Sequence, residues 1–190
     1  MSYAIYKTEA IILRLIPVGE ANMDVVVFTQ LFGKITVRAQ SVRKQESTMR
    51  MFLTRFRVVT IDVVRGKSVW RLTGISSTVP QTLFQEEVLL QSSYRMFRLA
   101  EFLVQGELPH PELFAFFKKV VTLSRTEIPQ SPKGFEIFCI ISILEHLGYW
   151  SGSWLRGELS QERYASCYTQ RAELVKKINE SISASQIMIY

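Results

Sequence analysis

Within its first 78 residues the chain places five short runs rich in β-branched residues, punctuated by glycine and proline. The first, "EAIILRLI" (9–16), ends at Pro17 and Gly19; "DVVVFTQL" (24–31) and "KITVRAQ" (34–40) follow, with Phe32-Gly33 between them. "RFRVVTIDVVR" (55–65) and "SVWRLTGI" (68–75) are joined across Gly66-Lys67. Two β runs separated by a residue–glycine pair predict a hairpin, because glycine accepts the positive φ of a tight turn. An open sheet of five such strands would leave two edges to protect, and closing it into a small barrel removes them.

After Ile75 the period changes. "LFQEEVLLQSSYRMFRLAEFLVQGE" (83–107) carries apolar residues at helical intervals, and "HPELFAFFKKVVTLSR" (110–125) sets Pro111 near a helix start. "SPKGFEIFCIISILEHLG" (131–148) opens with a Ser-Pro cap and closes on Gly148, which suits the residue just past a helix end. "LSQERYASCYTQRAELVKKINESI" (159–182) offers Ser160 as an N-cap. The expected fold is α+β: a five-stranded barrel over 1–78, then a compact helical domain over 79–190.

Charge divides along the same line. Residues 1–78 hold twelve Lys/Arg against five Asp/Glu, a net +7, while 79–190 hold eleven against twelve, a net −1. The window from Lys34 to Val59 concentrates it: Lys34, Arg38, Arg43, Lys44, Arg50, Arg55 and Arg57 face one acid, Glu46. Alternation along "KITVRAQ" turns Ile35, Val37 and Ala39 one way and Lys34, Thr36 and Arg38 the other. Arg55 and Arg57 are expected to share a face at the start of the fourth strand. Between them "SVRKQESTMR" (41–50) reads as a loop or short helical connection. Such a run is either a solvated face or the footprint of an anionic partner.

Catalytic chemistry finds little purchase. No glycine-rich phosphate loop and no G-x-S-x-G nucleophile motif occurs. His110 stands just before a proline and His146 near a helix end, which favours capping or solvated roles over a ligand or a base. Cys139 and Cys167 lie far apart and lack zinc-ligand spacing, so they read as buried thiols in a reducing compartment, and no metal or other cofactor is expected. The N-terminus lacks a basic segment followed by an apolar run, and "FEIFCIISILEHLGYW" is interrupted by Glu136 and Glu145. A cytoplasmic protein that is not an enzyme and does not use a membrane is the expectation.

Nucleic acid fits the charge better. A small barrel offers its second and third strands and its loops to oligonucleotides; basic residues neutralise phosphates and aromatic rings stack bases. Phe28, Phe56 and Trp70 are expected to fill the core, whereas Phe32, at a turn tip, and Phe52, in the basic connection, are the stacking candidates.

The segment "TEAIILRLIPVGEANMDVVVFTQLFGKITVRAQSVRK" resembles the opening of the bacterial DNA repair protein RecO family. The residues that carry the likeness are Pro17, Gly19, Glu20, Phe28, Thr29, Gly33, Lys34, Arg43, Lys44 and Ser47. "SYRMFRLAEFLVQGELPHPELFAFF", "FEIFCIISILEHLGYW" and "INESISASQI" are similar to the family's helices, in the same order. Where many members carry a four-cysteine zinc module after Leu-Gly-Tyr, this chain runs from Trp150 into "SGSWLRGELSQE", so no zinc is expected. Asn22 and Met23 also depart from the family's usual acid and arginine, and Gln45 and Glu46 interrupt the basic loop.

The resemblance implies an N-terminal OB-fold and a helical C-terminal domain. It implies a recombination mediator that binds single- and double-stranded DNA, anneals complementary strands and helps load recombinase on strands coated by single-strand-binding protein. Partners would then include that protein, whose acidic-hydrophobic tail the helical half receives in the family, and other recombination mediators. The alternative is a protein–protein adaptor whose barrel has little DNA affinity.

Overall fold

The computed structural model describes residues 4–77, 87–123, 127, 129–151 and 159–184. The chain forms two compact units: residues 1–82 with 104–122, and residues 83–103 with 123–190. The boundary expected between 78 and 79 falls outside the described residues.

The first unit is built on five strands, β1 (Ile5–Val18), β2 (Asn22–Thr29), β3 (Gly33–Ala39), β4 (Val58–Arg65) and β5 (Trp70–Ser76). They close in the order β1-β2-β3-β5-β4, with β4 returning to β1. All neighbours are antiparallel except β3 and β5. This closed five-stranded barrel is an OB-fold. The long first strand serves two partners: Ile5 to Ile11 pair with β4, and Ala10 to Val18 pair with β2. A register shift between Ile12 and Arg14 bends it from one to the other. Pro17 therefore does not end the strand as the sequence predicts. Beyond Ile11 no β4 partner remains, so its missing N–H interrupts no second ladder.

Inside the barrel lie Ala10, Ile12, Val25, Val27, Ile35, Val37, Ala39, Val59, Ile61, Val63, Trp70 and Leu72. The alternation expected for β3 holds: Ile35, Val37 and Ala39 are buried, and Lys34, Thr36 and Arg38 face out. Both hairpins form, for different reasons. Gly33 has φ +63°, and a Cβ there would collide with the Leu108 backbone. Thr29 completes that turn, its hydroxyl accepting from Phe32 N–H and donating to Gly33 O, each at 2.9 Å. Gly66, by contrast, does not occupy positive φ; glycine is required there because Val69 O sits where a Cβ would lie.

The fourth strand begins at Val58, not at Arg55. Phe56 takes φ 64° and donates its N–H to Ile12 O at 2.6 Å, which ends the alternation that would have set Arg55 and Arg57 on one face. The polar connection between β3 and β4 also has an apolar underside. Val42 is buried in the barrel core, and Met49, Phe52 and Leu53, around a short 3-10 helix at Thr48–Phe52, pack against it.

One helix belongs with the barrel. Helix α2 (Pro111–Val121; α1 is Glu87–Leu103) lies in the first unit and sets Phe114 and Phe117 at 5.9 and 5.8 Å from the Phe28 ring. Phe28 points out of the barrel by alternation yet is only 2% exposed, because α2 covers it. Lys118 adds a bidentate ion pair to Glu9, at 2.7 and 2.8 Å.

In the second unit α3 (Pro132–His146) packs against α1, α4 (Gln161–Thr169) and α5 (Arg171–Ala184). Ser131 caps α3 through Gly134 N–H, and Gly148 follows at φ 78°. Ser160 caps α4 through Arg163 N–H. The run expected as one helix over 159–182 breaks at Gln170. Phe135 and Phe138 pack edge-on against Tyr164, and Arg95 grips Glu136 at 2.5 and 2.6 Å.

Candidate nucleic-acid interface

The basic residues of the first unit occupy three settings. Lys34 and Arg38 lie on the outer face of β3, half-exposed. Arg38 is already engaged: its Nε and Nη2 donate to the two carboxylate oxygens of Asp24 on β2, at 2.7 and 2.8 Å. Those hydrogen bonds hold the Asp24 carboxyl below its ordinary range, against the opposing effect of burial, and raise Arg38.

Arg43, Lys44, Arg50 and Arg55 are exposed along the β3–β4 connection, with Glu46 exposed among them. Its backbone is tied to the β1–β2 turn, Arg43 N–H donating to Ala21 O and Ser41 N–H to Asn22 Oδ1, both at 3.0 Å. Asn22 thus serves as an anchor for the connection. With Val42, Met49, Phe52 and Leu53 held on the barrel core beneath, these four cations sit on an ordered platform.

Arg57 differs. It is half-buried, its Nη1 donates to Met51 O at 2.8 Å, and its guanidinium lies 5.4 Å from the centre of the Phe52 ring. Those contacts turn it back onto its own connection.

The aromatic residues divide as follows. Phe28, Phe56 and Trp70 are all buried, Trp70 inside the barrel as expected but Phe28 on its outer wall beneath α2. The stacking candidates are both half-buried and engaged: Phe32 packs with Trp70 and Tyr6, at 5.0 and 5.4 Å between ring centres, and Phe52 carries Arg57. Neither presents a free ring.

Three cations that sequence reasoning left aside join the surface through the topology. Arg65, Lys67 and Arg71 are exposed in and beside the β4–β5 loop. The parallel pairing of β3 and β5 sets Arg71 in register with Arg38, and Asp24 is in register with Arg38 on the other side. Asp24, Arg38 and Arg71 therefore form one rung of charges across three neighbouring strands. Their separation in sequence hides it; the only signal was the net charge of residues 1–78, to which Arg65, Lys67 and Arg71 contribute.

The recombination protein O N-terminal family model matches residues 1–79, the whole of the barrel. The chain is 27% identical over 135 residues to a DNA repair protein RecO of Haemophilus influenzae, covering 70% of this chain and 55% of that protein. It is 28% identical over 151 residues to the Thermodesulfovibrio yellowstonii protein of the same name, covering 76% and 58%. The chain thus carries a RecO-type N-terminal domain at residues 1–79. It spans just over half the length of these relatives.

Among the described residues no three His, Cys, Asp or Glu side chains group to hold a metal ion, and no helix is long and apolar enough to cross a membrane. In the second unit a cleft of about 570 Å³ is lined by Trp150, Gln170, Glu173, Leu174, Lys177 and Glu180 among others. Each of its glutamates has a lysine on the neighbouring turn, Lys177 at 2.6 Å from Glu173 and Lys176 at 4.0 Å from Glu180.

Proposed function

We propose that this protein is a member of the RecO family and a DNA-binding recombination mediator that binds single and double strands and anneals complementary ones. The observation that carries the reading is the platform of Arg43, Lys44, Arg50 and Arg55, exposed on a connection anchored in the barrel core. Each such cation that neutralises a phosphate releases condensed counterions, a term that every sequence supplies equally. Two strands brought onto one basic surface repel each other less and keep their base edges free to pair. No covalent step is needed, so the protein acts without being an enzyme. Its action on strands coated by single-strand-binding protein, in concert with other mediators, is part of the same proposal.

Fluorescence anisotropy with a labelled single strand of roughly 30 nucleotides across a salt series tests it. The expected result is tight binding at low salt and a steep slope. Arg43→Ala with Lys44→Ala should lower that slope by about 1.4, from roughly 0.7 per single-strand phosphate contact. Absence of binding at low salt would refute the reading and favour the adaptor, to which the engagement of Arg38 by Asp24 and of Arg57 by Met51 and Phe52 lends some support.

A further inference from the structure

The rung across β2, β3 and β5 places two arginines side by side on one face. Residues in register on neighbouring parallel strands point the same way, and the adjacent pair, Val37 and Trp70, is buried together in the core. Arg38 and Arg71 are therefore both directed outward. Like charges opposite one another on adjacent strands repel, an arrangement that a merely solvated surface has no reason to keep. Asp24 relieves one of them only. It occupies the Nε and one Nη2 proton of Arg38 and leaves three of its five N–H donors for another acceptor. No hydrogen bond or ion pair engages the Arg71 guanidinium among the described residues. Its stem runs beside Gly66, Cγ lying 3.9 Å from where a Cβ on that glycine would be, next to exposed Lys67.

We propose that Arg38 and Arg71 together hold one backbone phosphate of a bound strand, Arg38 through the N–H donors that Asp24 leaves open. The proposal rests on the DNA-binding reading above and deepens it. Two planar guanidiniums, one oriented by a carboxylate and one free, match the several acceptor oxygens of a phosphodiester. The site also routes the strand. From Lys67 in the β4–β5 loop it crosses β5 and β3 at the rung and reaches Arg43 beside the β1–β2 turn, so the strand lies across the barrel rather than along the β3–β4 connection alone.

The test uses the full chain and the same labelled single strand. Arg71→Ala alone should lower the salt slope by clearly less than about 0.7, the share of one single-strand phosphate contact, because Arg38 still meets that phosphate, and only the loss of both arginines should remove the full share. Arg71→Lys should keep the slope, since the charge remains, and lose affinity, since the paired donors do not. Combined with Arg38→Gln, the loss should fall short of the sum of the two single losses, because both arginines serve one phosphate. Circular dichroism melting of Arg71→Ala, an exposed strand position, should match the wild type. Arg71→Ala binding as wild type at every salt concentration, or fully additive losses, would overturn the subsite. If that happens while the Arg43/Lys44 pair still lowers the slope, DNA binding stands and only the subsite falls. A wild type that fails to bind at low salt removes both.

Discussion

Phe114 of α2 lies 5.9 Å from Phe28 of β2, ring centre to ring centre, on the outer side of the barrel wall. The wall is apolar on both faces there, so the barrel strands alone do not make a finished surface. Phe114→Ala should destabilise the first unit by about 3–5 kcal/mol, the usual range for removing a buried phenylalanine. Urea unfolding followed by tryptophan fluorescence, with Trp70 in the barrel core, reads it out. A fragment ending at residue 78 should bind a hydrophobic dye that the full chain excludes.

Gly19 and Gly33 both occupy the left-handed region, with φ 58° and 63°, and differ in what surrounds them. Nothing lies within 4 Å of a Cβ built on Gly19, whereas one on Gly33 would strike the Leu108 backbone. Gly19→Ala should cost about 1–2 kcal/mol, the conformational penalty alone. Gly33→Ala should cost clearly more, because backbone must also move. Parallel thermal melts of the two variants compare them directly.

The five strands were legible because β-branched runs and glycine turns are local signals, and three of the four helical segments expected in the second half appear as single helices for the same reason. What escaped is what depends on distant partners. Tyr6 and Lys7 join β1 because Val63 and Asp62 pair with them from across the barrel. Helix α2 sits with the barrel because of Phe28, far upstream. At the interface, the outward face of β3 was readable from alternation, but Asp24 on one side of Arg38 and Arg71 on the other were not. Arg57 was misplaced because nothing in "TRFRVV" announces that Phe56 adopts positive φ.

Arg55 and Arg57, two residues apart, should respond oppositely to alanine. Arg57 folds back on Met51 O and the Phe52 ring, so Arg57→Ala should cost about 1 kcal/mol of stability and leave the DNA salt slope unchanged. Arg55 is exposed, so Arg55→Ala should leave stability unchanged and lower the slope. Melting and anisotropy on both variants separate the roles; equal effects on the slope would place Arg57 on DNA after all.

Cys139 and Cys167 are both buried, and burial drives both thiols upward, Cys139 well above its ordinary value and Cys167 to about 11. The native protein at pH 8 should therefore react slowly with a colorimetric disulfide reagent, and in denaturant both thiols should react at once. The sign for stability follows. Unfolded thiols ionise near 8.5 while the folded ones stay neutral, so their contribution is complete below that pH. It is lost as pH rises through the folded values, and the urea midpoint should decline above pH 9.

Asp24→Asn separates the structural and electrostatic parts of the rung. The hydrogen bonds from Arg38 hold the Asp24 carboxyl below its ordinary range, so the pair stabilises the fold at every pH above the unfolded carboxylate value of about 3.9. That stability is lost as pH falls through the lower folded value. In Asp24→Asn this part of the acid limb should disappear, so the urea midpoints of variant and wild type should differ at pH 7 and converge toward pH 2. DNA binding should move the other way. Removing one negative charge roughly 7 Å from a bound phosphate changes the Coulomb energy by about 0.6 kcal/mol in water, or roughly threefold in affinity at low salt. The gain should fade as salt rises, because the charges are close to solvent. A variant that binds DNA more weakly than wild type at low salt would mean that orienting Arg38 matters more than the charge removed, and the Arg71 dependence of binding should then weaken with it.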